Sequence, residues 1–147
     1  MSISLKSNAN RFKLYATALS FLGSDASPND LAPDELGCAD TVSAIILVGF
    51  GNIIKYSIST AELFNILNNS SHFKRVKDFK CGDVILSPTG KGNGKLSNGH
   101  VGIVGEDEEI LSNSSATGTF EQNFTITSWV KRYREKGGFP IYFFRKI

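Results

Sequence analysis

Apolar residues recur at helical spacing in the first half of the chain and at strand spacing in the second half. The helical period over residues 11–22 predicts a first helix, with Phe12, Tyr15 and Leu19 on its apolar face and a stop at Gly23. The first helix is therefore expected to bury these apolar side chains against the core.

Two more helices are predicted before the strands begin. One extends over about 38–48, after a segment at 24–37 that is rich in Pro, Asp and Ser and predicts a loop. The next helix opens at Ser59, where Ser-Thr-Ala-Glu matches a capping box.

After Ser70, short apolar runs are separated by Gly, Asn, Asp or Pro, which is typical of strands and turns. Strands are predicted near 73–76, 83–87, 100–104, 109–113 and 139–145. One helix, over about 127–135, interrupts them. Helices first and antiparallel strands second predict an α+β fold with the helices packed on one side of a small sheet. At 147 residues, the chain is expected to form one domain over residues 1–147.

Composition excludes several classes of function. A net charge of +2, without a Lys/Arg stripe interleaved with aromatics, argues against a nucleic-acid partner. No apolar run reaches transmembrane length and no export signal is recognisable, so we expect synthesis in the cytoplasm and no membrane insertion. No Cys/His group has metal-ligand spacing, and the Gly-Lys-rich segment 90–95 lacks phosphate-loop spacing, so neither a metal nor another cofactor is expected.

Cys38 is the first candidate for chemistry, because it follows Gly37 at the predicted start of a helix. The unpaired N–H groups and the positive dipole there would lower its pKa from ~8.5 toward ~7 or below, and could hold an oxyanion. The alternative is a small buried apolar side chain. Cys81 stands in a turn before a strand, so we expect it to be chemically silent and not bonded to Cys38.

His100 is the second candidate, at the entrance of a predicted strand after a long Gly-rich loop. A histidine there, with glycines on either side, can reach a neighbouring helix end. The alternative is a structural or solvated histidine. His72 lies in the polar segment 68–75 and is expected at the surface.

A third candidate follows from the hairpin that joins strands 100–104 and 109–113. With a two- or four-residue loop, His100 faces Asn113 with Cβ atoms ~5 Å apart, and the amide could orient the imidazole ring. A three-residue loop would instead bring Ser112 to that position. Asn is the better orienting residue, so Asn113 is the prediction.

The order of these motifs resembles the NlpC/P60 and CHAP cysteine peptidases, most of all the phage-encoded lytic members. The matching stretches are 36–40, 81–86, 99–104 and 110–113. The chain departs from the family pattern at Gly37 and Ala39, where many NlpC/P60 members read Asp-Cys-Ser, and at Cys81, where Pro is usual.

The resemblance implies a papain-like thiol hydrolase that cuts an amide bond in peptidoglycan stem peptides or the adjacent sugar–peptide link. Cys38 would attack the carbonyl, His100 would transfer the proton, and Asn113 would orient His100. Asp83 would be structural, fixing the backbone near His100. The protein would act at the bacterial wall, with a phage tail or lysis assembly as partner. Alternatives on the same fold are a non-catalytic structural or wall-binding module of a phage particle and a thiol acyltransferase.

Overall fold

Helices occupy the first half of the chain and a six-stranded sheet the second half in a computed structural model that describes residues 2–24, 37–92, 98–114 and 116–147. The helices are α1 Ser2–Ser20, α2 Gly37–Phe50, α3 Thr60–Asn69 and α4 Ile126–Trp129, which continues into a π-helix, Val130–Lys136. The strands are β1 Phe73–Val76, β2 Val84–Ser87, β3 His100–Val104, β4 Glu109–Ser114, β5 Thr119–Thr125 and β6 Tyr142–Lys146. Most of the predicted 24–37 loop and part of the Gly-rich segment lie outside the described residues.

The sheet has the strand order β1-β6-β2-β3-β4-β5, and every neighbouring pair is antiparallel. The α+β class and the N-terminal helices packed on an antiparallel sheet are confirmed. The predicted strands are all present, but β5 was not predicted. The chain's last strand, β6, lies between β1 and β2 and so joins the edge strand β1 to the rest of the sheet.

One face of the sheet carries the first three helices. Alternate residues of β2 and β3 point to that face, since side chains alternate along a strand. The core there is fully or almost fully buried and consists of Leu14, Ala18, Cys38, Ala39, Val42, Ile45, Ile46, Leu63, Leu67, Phe73, Val84, Leu86, Val101, Ile103, Leu111, Phe120 and Phe144. None of the described helices is long and apolar enough to cross a membrane.

The opposite face is covered as well, contrary to the prediction that helices pack on one side. Ile85, Val104 and Ile110 form a second buried cluster with Trp129, Tyr133 and Phe139. Aromatic side chains of α4 and the π-helix therefore shield the face that the N-terminal helices leave open. The hydrophobic pattern of the sequence did not predict that this segment covers the second face, because the segment is short and contributes only a few large aromatic rings.

Helix α1 differs from its prediction in start and in orientation. It begins already at Ser2, and it buries Leu14 and Ala18, whereas Phe12 and Leu19 remain 60% and 41% exposed. Arg11 is also buried and donates to the backbone carbonyl of Cys81 at 2.9 Å. This long-range hydrogen bond draws a polar residue toward the core. The spacing of apolar residues could not predict such a contact.

Helix α3 begins as predicted. Ser59 is its N-cap, and the Ser59 side chain accepts a hydrogen bond from the backbone N–H of Glu62. The reciprocal half of the capping box is replaced, because the Ser59 N–H bonds to Ser57 and the Glu62 carboxylate lies 3.5 Å from Lys55.

A buried ion pair joins β6 to the residue that precedes β2, its neighbour in the sheet. Arg145 on β6 donates from Nε to Asp83 Oδ1 at 2.9 Å and from Nη2 to Oδ2 at 2.7 Å. Asp83 is fully buried and also accepts from the backbone N–H of Lys80 at 2.7 Å. The carboxylate raises the pKa of Arg145 above its ordinary value, because it stabilises the charged guanidinium. A fully hydrogen-bonded pair of this kind is stable only while both partners are present.

We expect Arg145→Met to lower the free energy of unfolding by about 3 kcal/mol or more, because it leaves the Asp83 carboxylate buried without its charge partner. Urea unfolding would measure the loss. Lys74→Met is the matched control, since Lys74 is an exposed cation directly beside Arg145 on β1. Equal losses for the two variants would contradict a specific role for the ion pair.

Candidate active site

A cleft of about 490 Å³ lies where the N-terminus of α2 meets the start of β3 and the end of β4. Cys38 and His100, the two residues predicted to act together, both line it. The other described lining residues are Asn98, Gly99, Asn113, Ser114, Ala116, Asn123, Phe124, Arg132 and Tyr133. The cleft is therefore walled by both faces of the sheet and by the π-helix.

Cys38 lies in the first turn of α2 and is only 3% exposed. Its sulfur is hydrogen-bonded by the backbone N–H groups of Val101, Ala39 and Cys38 itself, and each of these bonds favours the thiolate. Burial outweighs them and raises the pKa of the thiol to about 11. The predicted lowering of this pKa is thus wrong, because the helix N-terminus that should stabilise the anion is itself deeply buried.

The first turn of α2 is anchored by polar contacts beneath the cleft. The carboxylate of Asp40, which is fully buried, accepts a hydrogen bond from the hydroxyl of Tyr56, and the Asp40 backbone carbonyl accepts from the same hydroxyl at 2.9 Å. Burial and the neighbouring carboxylate raise the pKa of Tyr56. One turn further on, Ser43 Oγ donates to the Ser57 carbonyl at 2.8 Å. The segment before α3 therefore holds the helix that carries Cys38.

His100 is the first residue of β3, and the preceding Gly99 is required by a close backbone approach. A Cβ at Gly99 would collide with the backbone carbonyl oxygen of Ser87. The imidazole stacks on Trp129 and Tyr133, with ring centroids 5.2 and 5.8 Å away. Desolvation among these rings lowers the pKa of His100 to about 4, the charge of Arg132 acts in the same direction, and a hydrogen bond with the Asn113 backbone opposes both. His100 is consequently a neutral base near pH 7.

Ser112 is the residue whose side chain forms a hydrogen bond with the imidazole. The distance from His100 Nε2 to Ser112 Oγ is 3.0 Å, and Ser112 Oγ donates to Asn123 Oδ1 at 2.5 Å. A neutral imidazole has one N–H, and both the Ser112 hydroxyl and the Asn113 backbone bond to the ring. This contact path fixes the orientation of His100.

The predicted pairing of His100 with Asn113 is wrong. Gly102 pairs with Ser112 and Val104 with Ile110, a register that leaves five residues, 105–109, between the last paired positions. Asp107 and Glu108 in this connection have left-handed φ values of 53° and 60°. The Gly105 N–H bonds to the Glu109 carbonyl at 2.7 Å, which leaves three residues, 106–108, in the connection, so the preferred two- or four-residue loop is not formed. Ser112 shares a face of the sheet with His100, two positions away from direct opposition.

Asn113 nevertheless lies at the cleft. Its backbone bonds to the His100 ring, and its carbonyl accepts from Asn123 Nδ2 at 3.1 Å. The residue is buried and lines the cavity from the α2 side of β4. Its catalytic role stays a prediction.

The remaining candidates lie elsewhere. Cys81 and Cys38 are both free thiols. Asp83 is structural, but its backbone carbonyl accepts from Val104, at the far end of β3 from His100, so the expected position near His100 is wrong. Within the described ranges, no cluster of three or more His, Cys, Asp or Glu side chains is suited to hold a metal ion.

Sequence reasoning missed Asn123 and Arg132. Asn123 belongs to the unpredicted strand β5, where a register shift places Phe120 and Phe124 in different buried clusters, so no strand period reveals the element. Arg132 lies on the helix that was expected over 127–135, but no motif distinguishes it from the basic residues around it.

Comparison with known proteins identifies the fold and not the family. No protein-family model and no curated protein matches the chain. Among solved structures, it is similar to a chain from the crystal structure of the type VI native effector-immunity complex Tae3-Tai3 from Ralstonia pickettii. The identity is 17% and the TM-score is 0.61, over 94% of this chain and 99% of the other. The two proteins therefore share an α+β fold along almost their whole lengths.

Proposed function

We propose that this protein is a peptidoglycan-degrading cysteine hydrolase, an amidase or endopeptidase, with Cys38 as nucleophile and His100 as base. The observation that carries the proposal is that Cys38, at a helix N-terminus, and His100, oriented by Ser112, line one cleft. The chain shares its fold with a protein from a type VI effector-immunity complex, and a role at the bacterial wall is what the resemblance to the NlpC/P60 and CHAP peptidases implies. An immunity-type protein or a phage lysis assembly would be the corresponding protein partner.

The proposed reaction is an acyl transfer in two halves. Cys38 Sγ attacks the amide carbonyl while the unprotonated ring nitrogen of His100 takes the thiol proton and returns it to the leaving amine. Water then attacks the thioester, with His100 as base, and the thiol is released. The backbone N–H of Cys38, in the first turn of α2, is one of the donors that would hold the oxyanion.

The resting pair is neutral, because the thiol pKa is raised and the imidazole pKa is lowered. Proton transfer from Cys38 to His100 therefore has to accompany the attack and is not completed beforehand. The same raised pKa favours a second candidate, a non-catalytic wall-binding or structural module in which Cys38 is a buried, unreactive thiol. A thiol acyltransferase would use the same residues as the hydrolase with an amine in place of water.

We expect Cys38→Ala to abolish the release of soluble muropeptides from purified cell walls, because none of the other described residues that line the cleft has a thiol to form the thioester. Mass spectrometry of the digest measures the release and identifies the bond that is cut. Cys81→Ala is the matched control and should retain most activity, since Cys81 lies outside the cleft. Release by the Cys38→Ala variant at the wild-type rate would remove the hydrolase proposal and leave the non-catalytic module.

We expect Ser112→Ala to lower kcat by roughly 10 to 100-fold, because it removes the side-chain hydrogen bond that orients His100. Asn113→Ala should have a smaller effect, since the hydrogen bond of Asn113 with the ring comes from its backbone. Rates on purified muropeptides measure both. The opposite ranking would return Asn113 to the orienting role and contradict the assignment to Ser112.

The pH dependence of stability tests the environment of His100. Its pKa is about 4 in the folded protein against an ordinary 6.5, so the unfolded chain binds the proton more readily between these values. Stability contributed by neutral His100 is present above pH ~6.5 and is lost as the pH falls toward ~4, by at most about 3 kcal/mol.

The measurement is the free energy of unfolding in urea at pH 7 and pH 4.5. His100→Gln should show a smaller decrease than the wild type, whereas His72→Gln, at an exposed position, should match the wild type. A decrease of the same size in the His100 variant would show that other groups cause the acid sensitivity.

A further inference from the structure

Arg132 supplies the positive charge of the candidate active site. Among the described residues that line the cleft it is the only one with a permanent charge, and none of them is Asp or Glu. The polar lining is otherwise formed by the amides of Asn98, Asn113 and Asn123 and by small hydroxyl groups. A cleft with this chemistry favours an anionic ligand over a neutral or cationic one.

The guanidinium of Arg132 is positioned by Tyr133, and no carboxylate of the described residues forms an ion pair with it. Its carbon lies 5.6 Å from the centroid of the Tyr133 ring, and its side chain hydrogen-bonds the Tyr133 hydroxyl. Tyr133 is itself 5% exposed and stacks on His100. The ion pairs in the described part of the chain are Arg145–Asp83 and Lys55–Glu62, and neither involves Arg132. Since a guanidinium has five N–H donors, most of them remain available for a ligand.

We propose that Arg132 binds a free carboxylate of the substrate peptide beside the bond that is cut. The proposal rests on the proposed function and adds a determinant of substrate specificity to it. Peptidoglycan stem peptides carry free carboxylates next to their amide bonds, on the γ-linked glutamate and on the residues that follow it. A planar guanidinium can accept such a group in a two-point hydrogen-bonded arrangement that also orients the peptide.

The position of Arg132 near His100 gives carboxylate binding a second consequence. The charge of Arg132 disfavours protonation of the imidazole. A carboxylate bound to Arg132 would offset that charge, so His100 could hold the proton of Cys38 more easily when the correct substrate is present. An arginine that only solubilises the surface would not have this coupling to the base.

Binding to the Cys38→Ala protein tests the proposal without any need for catalysis. The probes are a stem tetrapeptide with its carboxylates free and the same peptide with them converted to amides, each titrated by calorimetry. We expect the free-acid peptide to bind roughly 10-fold more tightly, and we expect Arg132→Gln in the same background to remove that preference. Peptides amidated at single positions would then identify the carboxylate.

Arg134→Gln is the matched control, because Arg134 is an exposed arginine on the same π-helix that does not line the cleft. It should preserve the preference. Equal binding of the two peptides, or equal losses in the Arg132 and Arg134 variants, would overturn the proposal.

The outcomes for the hydrolase and for the carboxylate site are distinguishable. Loss of preference on Arg132→Gln supports the site even if the wild type releases no muropeptides, in which case only the hydrolase proposal fails. Cleavage of both peptides by the wild type at equal kcat/KM, with no preference in binding, would leave the hydrolase intact and remove the role of Arg132.

Discussion

Burial of the first two turns of α2 is the constraint on which the rest of the structure depends. Residues 38–43 are all buried. Buried polar groups need hydrogen-bond partners inside the protein, and several described contacts of this segment provide them. Asp40 accepts from Tyr56, Ser43 bonds with Ser57, and the Cys38 sulfur accepts from Val101. The segment that leads to α3 and the start of β3 are positioned by these bonds. The same burial keeps the thiol protonated, so precise placement of the sulfur and a low resting reactivity have one physical cause.

The site also requires both faces of the sheet. Cys38 belongs to the core beneath the N-terminal helices, whereas His100 belongs to the face with Trp129 and Tyr133. The path from His100 through Ser112 to Asn123 crosses β3, β4 and β5 in turn. The edge strand β5 and the helical segment after it are therefore part of the site's framework, although they lie far along the chain from the nucleophile.

The sequence predicted elements better than it predicted pairings. Periodicity placed most helices and strands, because each element buries one face of its own residues. Cys38 and His100 were predicted from their positions at element starts together with the family resemblance, and they do line one cleft. The hairpin register was not accessible, since it depends on two acidic residues, Asp107 and Glu108, in left-handed conformations that usually require Gly or Asn. That uncertainty of one residue exchanged Asn113 for Ser112.

The shape of the cleft depends on the number of residues in the π-helix. Wide π turns are rare and are found mostly at functional sites. Here the wide turns carry Arg132 into the cleft and Tyr133 against His100. Loss of one residue before Arg132 would let the segment revert to an ordinary α-helix and would rotate the following side chains by about 100° around its axis. In relatives of this protein, a single deletion there would therefore remodel the cleft wall even if every remaining residue of the segment were the same.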